Sequence, residues 1–141
     1  MFEILKFTHI LGVVLGIGGG LANAVAAAKL ASLPPETGPI VGGFREALGK
    51  MSTLGLVFLW LSGIALIGVT GATGLLSDPI FLAKMAAVLV LTGFSIAANV
   101  TVISAKKAGG PPDMARMKLI SQGALISGLL ALVLAVVTFA A

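Results

Sequence analysis

The 141-residue sequence contains no cysteine, one histidine, and charged residues at only 10% of positions. The absence of cysteine excludes a disulfide framework, a thiolate metal site and a cysteine nucleophile. With His9 alone, a bis-histidine haem within one chain is excluded as well. The five acidic residues lie in connections or near the ends of apolar segments, and no Ser/His/Asp set falls at one depth, so no hydrolase constellation is present. No glycine loop has phosphate-cradling spacing. The stretch "GIGGG" at 16–20 sits inside an apolar run rather than after a strand, which makes its likeness to a dinucleotide fingerprint accidental. The net charge of +4 comes from cations at the ends of apolar segments, where topology and anionic headgroups account for them. Nucleic acid is not an expected partner.

What the sequence has in abundance is apolar surface: 58% of residues are hydrophobic. Soluble domains average roughly half apolar and about a quarter charged, so the deficit of charge marks a membrane protein. Crossing about 30 Å of hydrocarbon takes about 20 apolar residues at 1.5 Å each. Four stretches qualify, at about 4–30, 48–70, 79–104 and 116–140. The breaks between them, "SLPPETGP", "TGATGLLSDP" and "KKAGGPPD", carry turn chemistry and leave no room for a soluble domain. Asp78 before Pro79 reads as an N-cap with proline at the first helical position, and Asp113 can cap the fourth helix. The expected fold is all-α, an integral membrane bundle of four transmembrane helices in one domain. The first apolar run exceeds a signal-peptide core, so we expect it to be retained.

The segment 38–50, with Phe44, Leu48 and Met51 at helical spacing and Arg45, Glu46 and Lys50 around them, predicts a short interfacial helix at about 38–48 leading into the second span. A solvated helical extension is the other outcome this pattern allows. Of the nine Lys and Arg residues, Lys29, Arg45, Lys50, Lys106, Lys107, Arg116 and Lys118 flank the first and third connections, and only Lys6 and Lys84 lie on the other side. The positive-inside rule then predicts cytoplasmic first and third connections, with both termini outside.

Polar residues inside the spans are the candidate sites. At 100° per residue, His9, Gly12, Gly16, Gly20 and Asn23 fall within about 80° on the first helix. Small residues recur at 12, 16, 20, 24 and 28. Two uses of this ridge stay open: close approach of a neighbouring helix backbone, or space for a flat cofactor beside a histidine ligand. On the third helix Lys84, Ser95 and Asn99 share a face. Lys84 lies about 7 Å from the helix start, where it either snorkels to the headgroups or faces the bundle at the depth of His9. Trp60, in mid-span, is either core filling or a ring stacked on a ligand. Ser121, Gln122, Ser127 and Thr138 do not share a face, and read as helix–helix hydrogen bonds or back-bonded hydroxyls.

These residues carry a resemblance. "LKFTHILGVVLGIGGG" is similar to the first helix of the copper resistance protein D family, where a leucine-rich start, a histidine and a later Gly-Gly recur. "FREALGKMSTLGLVFLWLSGIALI" resembles the family's next segment, with its Ser62-Gly63 step, and "DPIFLAKMAAVLVLTGFSIAAN" the one after, with Lys84 and Asn99 at the lysine and asparagine positions. The J-type membrane protoporphyrinogen oxidases, which bind b-type haem, share the first-helix histidine and third-helix lysine. The resemblance spans three of the four stretches and implies a bacterial inner (cytoplasmic) membrane protein. It further implies His9 as an axial or metal ligand, Gly12 and Gly16 making room for a ring, and Lys84 or Lys6 pairing with a propionate. Met85, water or a symmetry mate's His9 would be the second ligand. The oxidases' additional histidines and aromatic residues are missing here. A copper site would want soft ligands, and only Met85 lies near the depth of His9, since Met1, Met51, Met114 and Met117 sit at termini or cytoplasmic ends.

Three functions follow, in order. The first is a non-enzymatic subunit or accessory protein of a larger, energy-transducing membrane complex, in contact with lipid and with other subunits or itself through the Gly12, Gly16, Gly20 face; the 19 glycines supply more packing surface than chemistry. The second is a haem b protein for electron transfer or porphyrin oxidation, with Asn99 and Lys84 beside the site. Transport of a small ion or copper ranks last, because broken helices and a buried polar path are missing.

Overall fold

The structure, a computed structural model, describes residues 1–140, and no strand occurs among them. Four helices are long and apolar enough to cross a membrane: α1 (Phe2–Leu30), α2 (Gly38–Thr70), α3 (Pro79–Lys107) and α4 (Met114–Ala140). Their ends lie within a few residues of the expected spans except at the start of α2. There the segment from Gly38 runs into the second span without a break, as one helix of 33 residues. Nothing between Pro39 and Thr70 interrupts the backbone ladder, and Gly71 ends the helix in the left-handed conformation (φ 63°) that glycine adopts without a steric penalty.

The chain forms two compact units, one made of α1 and α2 (Met1–Thr73), the other beginning at Gly74 and made of α3 and α4. In the first, residues ascending α1 meet residues descending α2. His9 lies against Ser62 and Gly63, Gly12 against Leu59 and Gly55, Gly19 against Leu48 and Ser52, and Asn23 against Arg45. The hairpin is therefore antiparallel. Its closest approach is backbone on backbone. A Cβ added at Gly12 would lie 2.9 Å from the Gly55 oxygen and Leu59 nitrogen, and one at Gly55 would run into the Gly16 backbone. In the same stretch α1 widens into a π-helical turn, Val14–Gly18, and Ser52 Oγ donates to the Gly16 carbonyl at 2.7 Å. A π turn shifts the carbonyl register; the serine gives one of its carbonyls a partner from the neighbouring helix.

The second unit is a hairpin whose turns are built locally. Asp78 Oδ1 accepts from the amides of Ile80 (2.7 Å) and Phe81 (3.2 Å), capping α3 as expected. At the other end Gly109 is left-handed (φ 73°), Gly110 donates to Ala105 O, and Gly109 to Lys106 O, the paired bonds of a Schellman motif. Asp113 then caps α4 through Ala115 (3.1 Å) and Arg116 (3.4 Å). So short a connection makes α3 and α4 antiparallel neighbours. Gly123 of α4 faces the Phe94 ring closely enough that a Cβ would overlap it.

The distribution of polarity is inverted relative to a soluble fold. Large apolar side chains such as Ile40, Ile64, Leu119 and Ile126 point outward, while Ser62, Thr101 and Ser127 are buried. The buried hydroxyls bond back to their own helices: Thr101 to Ala97 O, Ser127 to Gly123 O. Thr138 does the same to Leu134 O. Among the described residues no buried side-chain nitrogen or oxygen lacks a partner, as a medium without water requires.

Candidate functional site

Two stripes meet in the first unit. On α1 the stripe is His9, Gly12, Gly16, Gly19 and Asn23; on α2 it is Arg45, Leu48, Ser52, Gly55, Leu59 and Ser62, which fall within about 100° of one another at 100° per residue. Small residues in the middle set the spacing, and polar residues stand at both ends.

At one end, His9 Nδ1 lies 3.0 Å from Ser62 Oγ. Ser62 is 2% exposed, and its hydroxyl makes a short contact to the Phe58 carbonyl of its own helix. Two oxygens that close hold a proton between them, so the single serine hydrogen goes to Phe58 and the serine oxygen accepts from the ring. Nδ1 of His9 therefore carries a hydrogen, and in the neutral imidazole Nε2 carries the lone pair. The ring edge also rests on Gly63, whose added Cβ would stand 3.5 Å from His9 Cε1. Trp60, half-buried, precedes Ser62 by two positions on α2.

At the other end, Arg45 Nε donates to Asn23 Oδ1 at 3.0 Å. This crossing joins a residue assigned to the ridge of α1 with one assigned to the lead-in of α2.

The remaining expected site residues are distributed differently. Lys84, Met85 and Asn99 belong to the second unit, His9, Gly12 and Gly16 to the first. Lys84 is half-buried with Nζ 5.2 Å from the Phe81 ring centroid, a cation–π contact within α3. Met85 is half-buried. Asn99 is exposed and gives its amide to Ser95 O at 2.9 Å, one turn back. Lys6 pairs with Glu3 (3.8 Å) and stands over Phe2 (4.2 Å), in the first turn of α1. The space beside Gly12 and Gly16 is filled by the backbone of α2, where a methyl group would already be tight at Gly12, so a flat ring has no room there. Gly20 is looser, its added Cβ 4.0 Å from Ser52 Oγ. No group of three or more His, Cys, Asp or Glu converges among the described residues.

Ser52, Gly55 and Ser62 were not among the expected site residues. Their signal was present in the sequence as a seven-residue recurrence, 45–52–59 and 48–55–62, of the kind that lines a helix–helix seam. It was masked because Leu48 and Leu59 share the stripe and because Ser62 reads as an isolated hydroxyl. Comparison of the chain with protein-family models, curated proteins and solved structures returns no match.

Proposed function

We propose that this chain is a non-catalytic subunit or accessory protein of a larger, energy-transducing membrane complex in a bacterial inner membrane, of the kind its resemblance to the copper resistance protein D bundles implies. The observation that carries this is the division of surfaces. Small and polar groups of α1 and α2 are consumed by each other, whereas the outward faces are large aliphatic side chains such as Ile64 and Leu61, at 62% and 64% exposure. A surface of that kind suits lipid and the helices of neighbouring subunits. The weight of seven of nine cations at the first and third connections supports an orientation with both termini in the periplasm. The test is single-cysteine cross-linking in native membranes. Ile64→Cys is expected to capture a second, different polypeptide, and purification solely as a lone monomer with lipid would overturn the proposal.

One observation favours a second reading, in which His9 ligates a cofactor. Metal-binding imidazoles regularly donate their other ring N–H to an oriented acceptor, and Ser62 is such an acceptor for Nδ1. The group implied by the resemblance is haem b, yet the residues around Gly12 and Gly16 do not fit a porphyrin, so Gly12 and Gly16 serve packing rather than ring clearance. Purified protein grown with ample haem decides the point: a Soret absorbance lost in His9→Ala supports ligation, and a colourless wild type removes it. Copper or small-ion transport has the least support, since the sequence offers neither broken helices nor a run of polar residues along a path.

A further inference from the structure

We infer that Arg45 is a seat for the phosphate of an anionic phospholipid at the end of the α1–α2 hairpin that carries the connection. Helix α2, with 33 residues, is about 50 Å long at 1.5 Å per residue, well beyond the ~30 Å of hydrocarbon it has to cross. Its charged residues, Arg45, Glu46 and Lys50, all lie in the first half, so the excess length projects into the headgroup layer at that end. Arg45 is half-buried there. Its Nε is held by Asn23 Oδ1, an amide oxygen from the other helix, which orients the guanidinium without neutralising it. Of the carboxylates nearby in sequence, Glu46 pairs with Lys50 at 3.0 Å, and Glu36 is exposed in the connection. Neither ion pair found among the described residues, Lys6–Glu3 or Lys50–Glu46, includes Arg45.

A half-buried charge calls for a counter-charge, and a guanidinium fixed at Nε presents its terminal N–H groups in one plane, the geometry that recognises phosphate oxygens in pairs. In the headgroup layer the abundant oxyanion is lipid phosphate. Exposed Leu21 of α1 and Leu54 of α2, on the hydrocarbon side of the Asn23–Arg45 pair, supply apolar surface for acyl chains, and Lys29 in the last turn of α1 adds positive potential at the headgroup end. Inorganic phosphate has the same oxygen chemistry but no use for that apolar flank.

The test is titration of the full chain in detergent micelles with short-chain phosphatidylglycerol, phosphatidylcholine or inorganic phosphate, read by native mass spectrometry. Both lipids carry the phosphate, but in phosphatidylcholine the choline cation offsets its charge, so wild-type protein is expected to prefer phosphatidylglycerol by about fivefold, the scale of one cation beside an anionic headgroup. Arg45→Gln should erase the preference. Arg45→Lys, which keeps the charge and loses the fork and the bond to Asn23, should retain only part of it, and Asn23→Ala should weaken it in the same direction. Gly68→Ala, at the far end of α2 with open space around it, serves as control and should change nothing. An undiminished preference in Arg45→Gln, with helix content intact by circular dichroism, overturns the inference. So does full displacement of phosphatidylglycerol by inorganic phosphate, which would make this a soluble-ion site.

Discussion

Gly55 and Gly68 lie on the same helix, yet their environments differ completely. A side chain at Gly55 would collide with the Gly16 backbone, whereas Gly68 has open space around it. Gly55→Ala is therefore expected to lower the thermal stability of the detergent-solubilised protein by about 1–3 kcal/mol, the usual cost of overpacking. Gly68→Ala should leave it unchanged or raise it slightly, since alanine is the better helix former. Equal effects at the two positions would show that helix propensity, and not the interhelical contact, sets the outcome. For His9 the expectation concerns its proton. With Ser62 accepting, imidazole nitrogen shifts should report the Nδ1–H tautomer in the neutral wild type, and Ser62→Ala should let the two tautomers mix. A wild type already mixed would mean that the serine hydrogen points at the ring instead.

The helix ends and the middle of α1 illustrate two different sources of order. The ends are local: Asp78, Asp113 and Gly109 form caps from residues only a few positions apart, which is why Asp78-Pro79 was legible as a helix start. The π turn at Val14–Gly18 is not local in that sense. Glycines at 16 and 18 make the backbone yielding, but the donor for Gly16 O arrives from Ser52 on α2. Ser52→Ala should accelerate amide exchange selectively across residues 14–19, by an opening free energy of about 0.6–1.7 kcal/mol as for other membrane hydrogen bonds. A uniform rise along α1 would instead mean that the hydroxyl steadies the whole helix. The lead-in to α2 belongs at this scale too. Its mixed polarity allowed either a separate interfacial helix or a helical extension of the span, because amphipathic pattern carries no information about where a helix is interrupted, and from Gly38 to Thr70 it is not interrupted.

Across the whole chain, the testable quantity is which connections face which side of the membrane. Because the sequence has no cysteine, single-cysteine variants label without background. The orientation proposed from the cations puts both termini outside, and it predicts that Thr73→Cys reacts with an impermeant maleimide in intact cells while Glu36→Cys and Ala108→Cys react only after lysis. The reverse pattern would overturn the charge-based orientation. Of the fold, the helical class and the four apolar spans were readable because hydrocarbon imposes length and apolarity on any helix that crosses it, whereas the start of α2, ten residues before the apolar run, was not. Of the candidate site, His9 and the glycines of α1 were readable as one face from the 3.6-residue period; Ser52, Gly55 and Ser62 recur on α2 with comparable regularity, but nothing in either helix alone showed that the two stripes meet. The period shows which residues share a face, not what that face touches.

The sequence by itself determined that this chain is helical, that its helices are long and apolar enough for a membrane, and that Asp78 and Asp113 cap two of them, since each of these depends on residues a turn or a span apart. Only the tertiary structure decided the use of the glycine ridge. Gly12 and Gly16 are spent on the backbone of α2, His9 is oriented by Ser62, and Asn23 finds Arg45, because a register between two helices is settled by matching both surfaces at once.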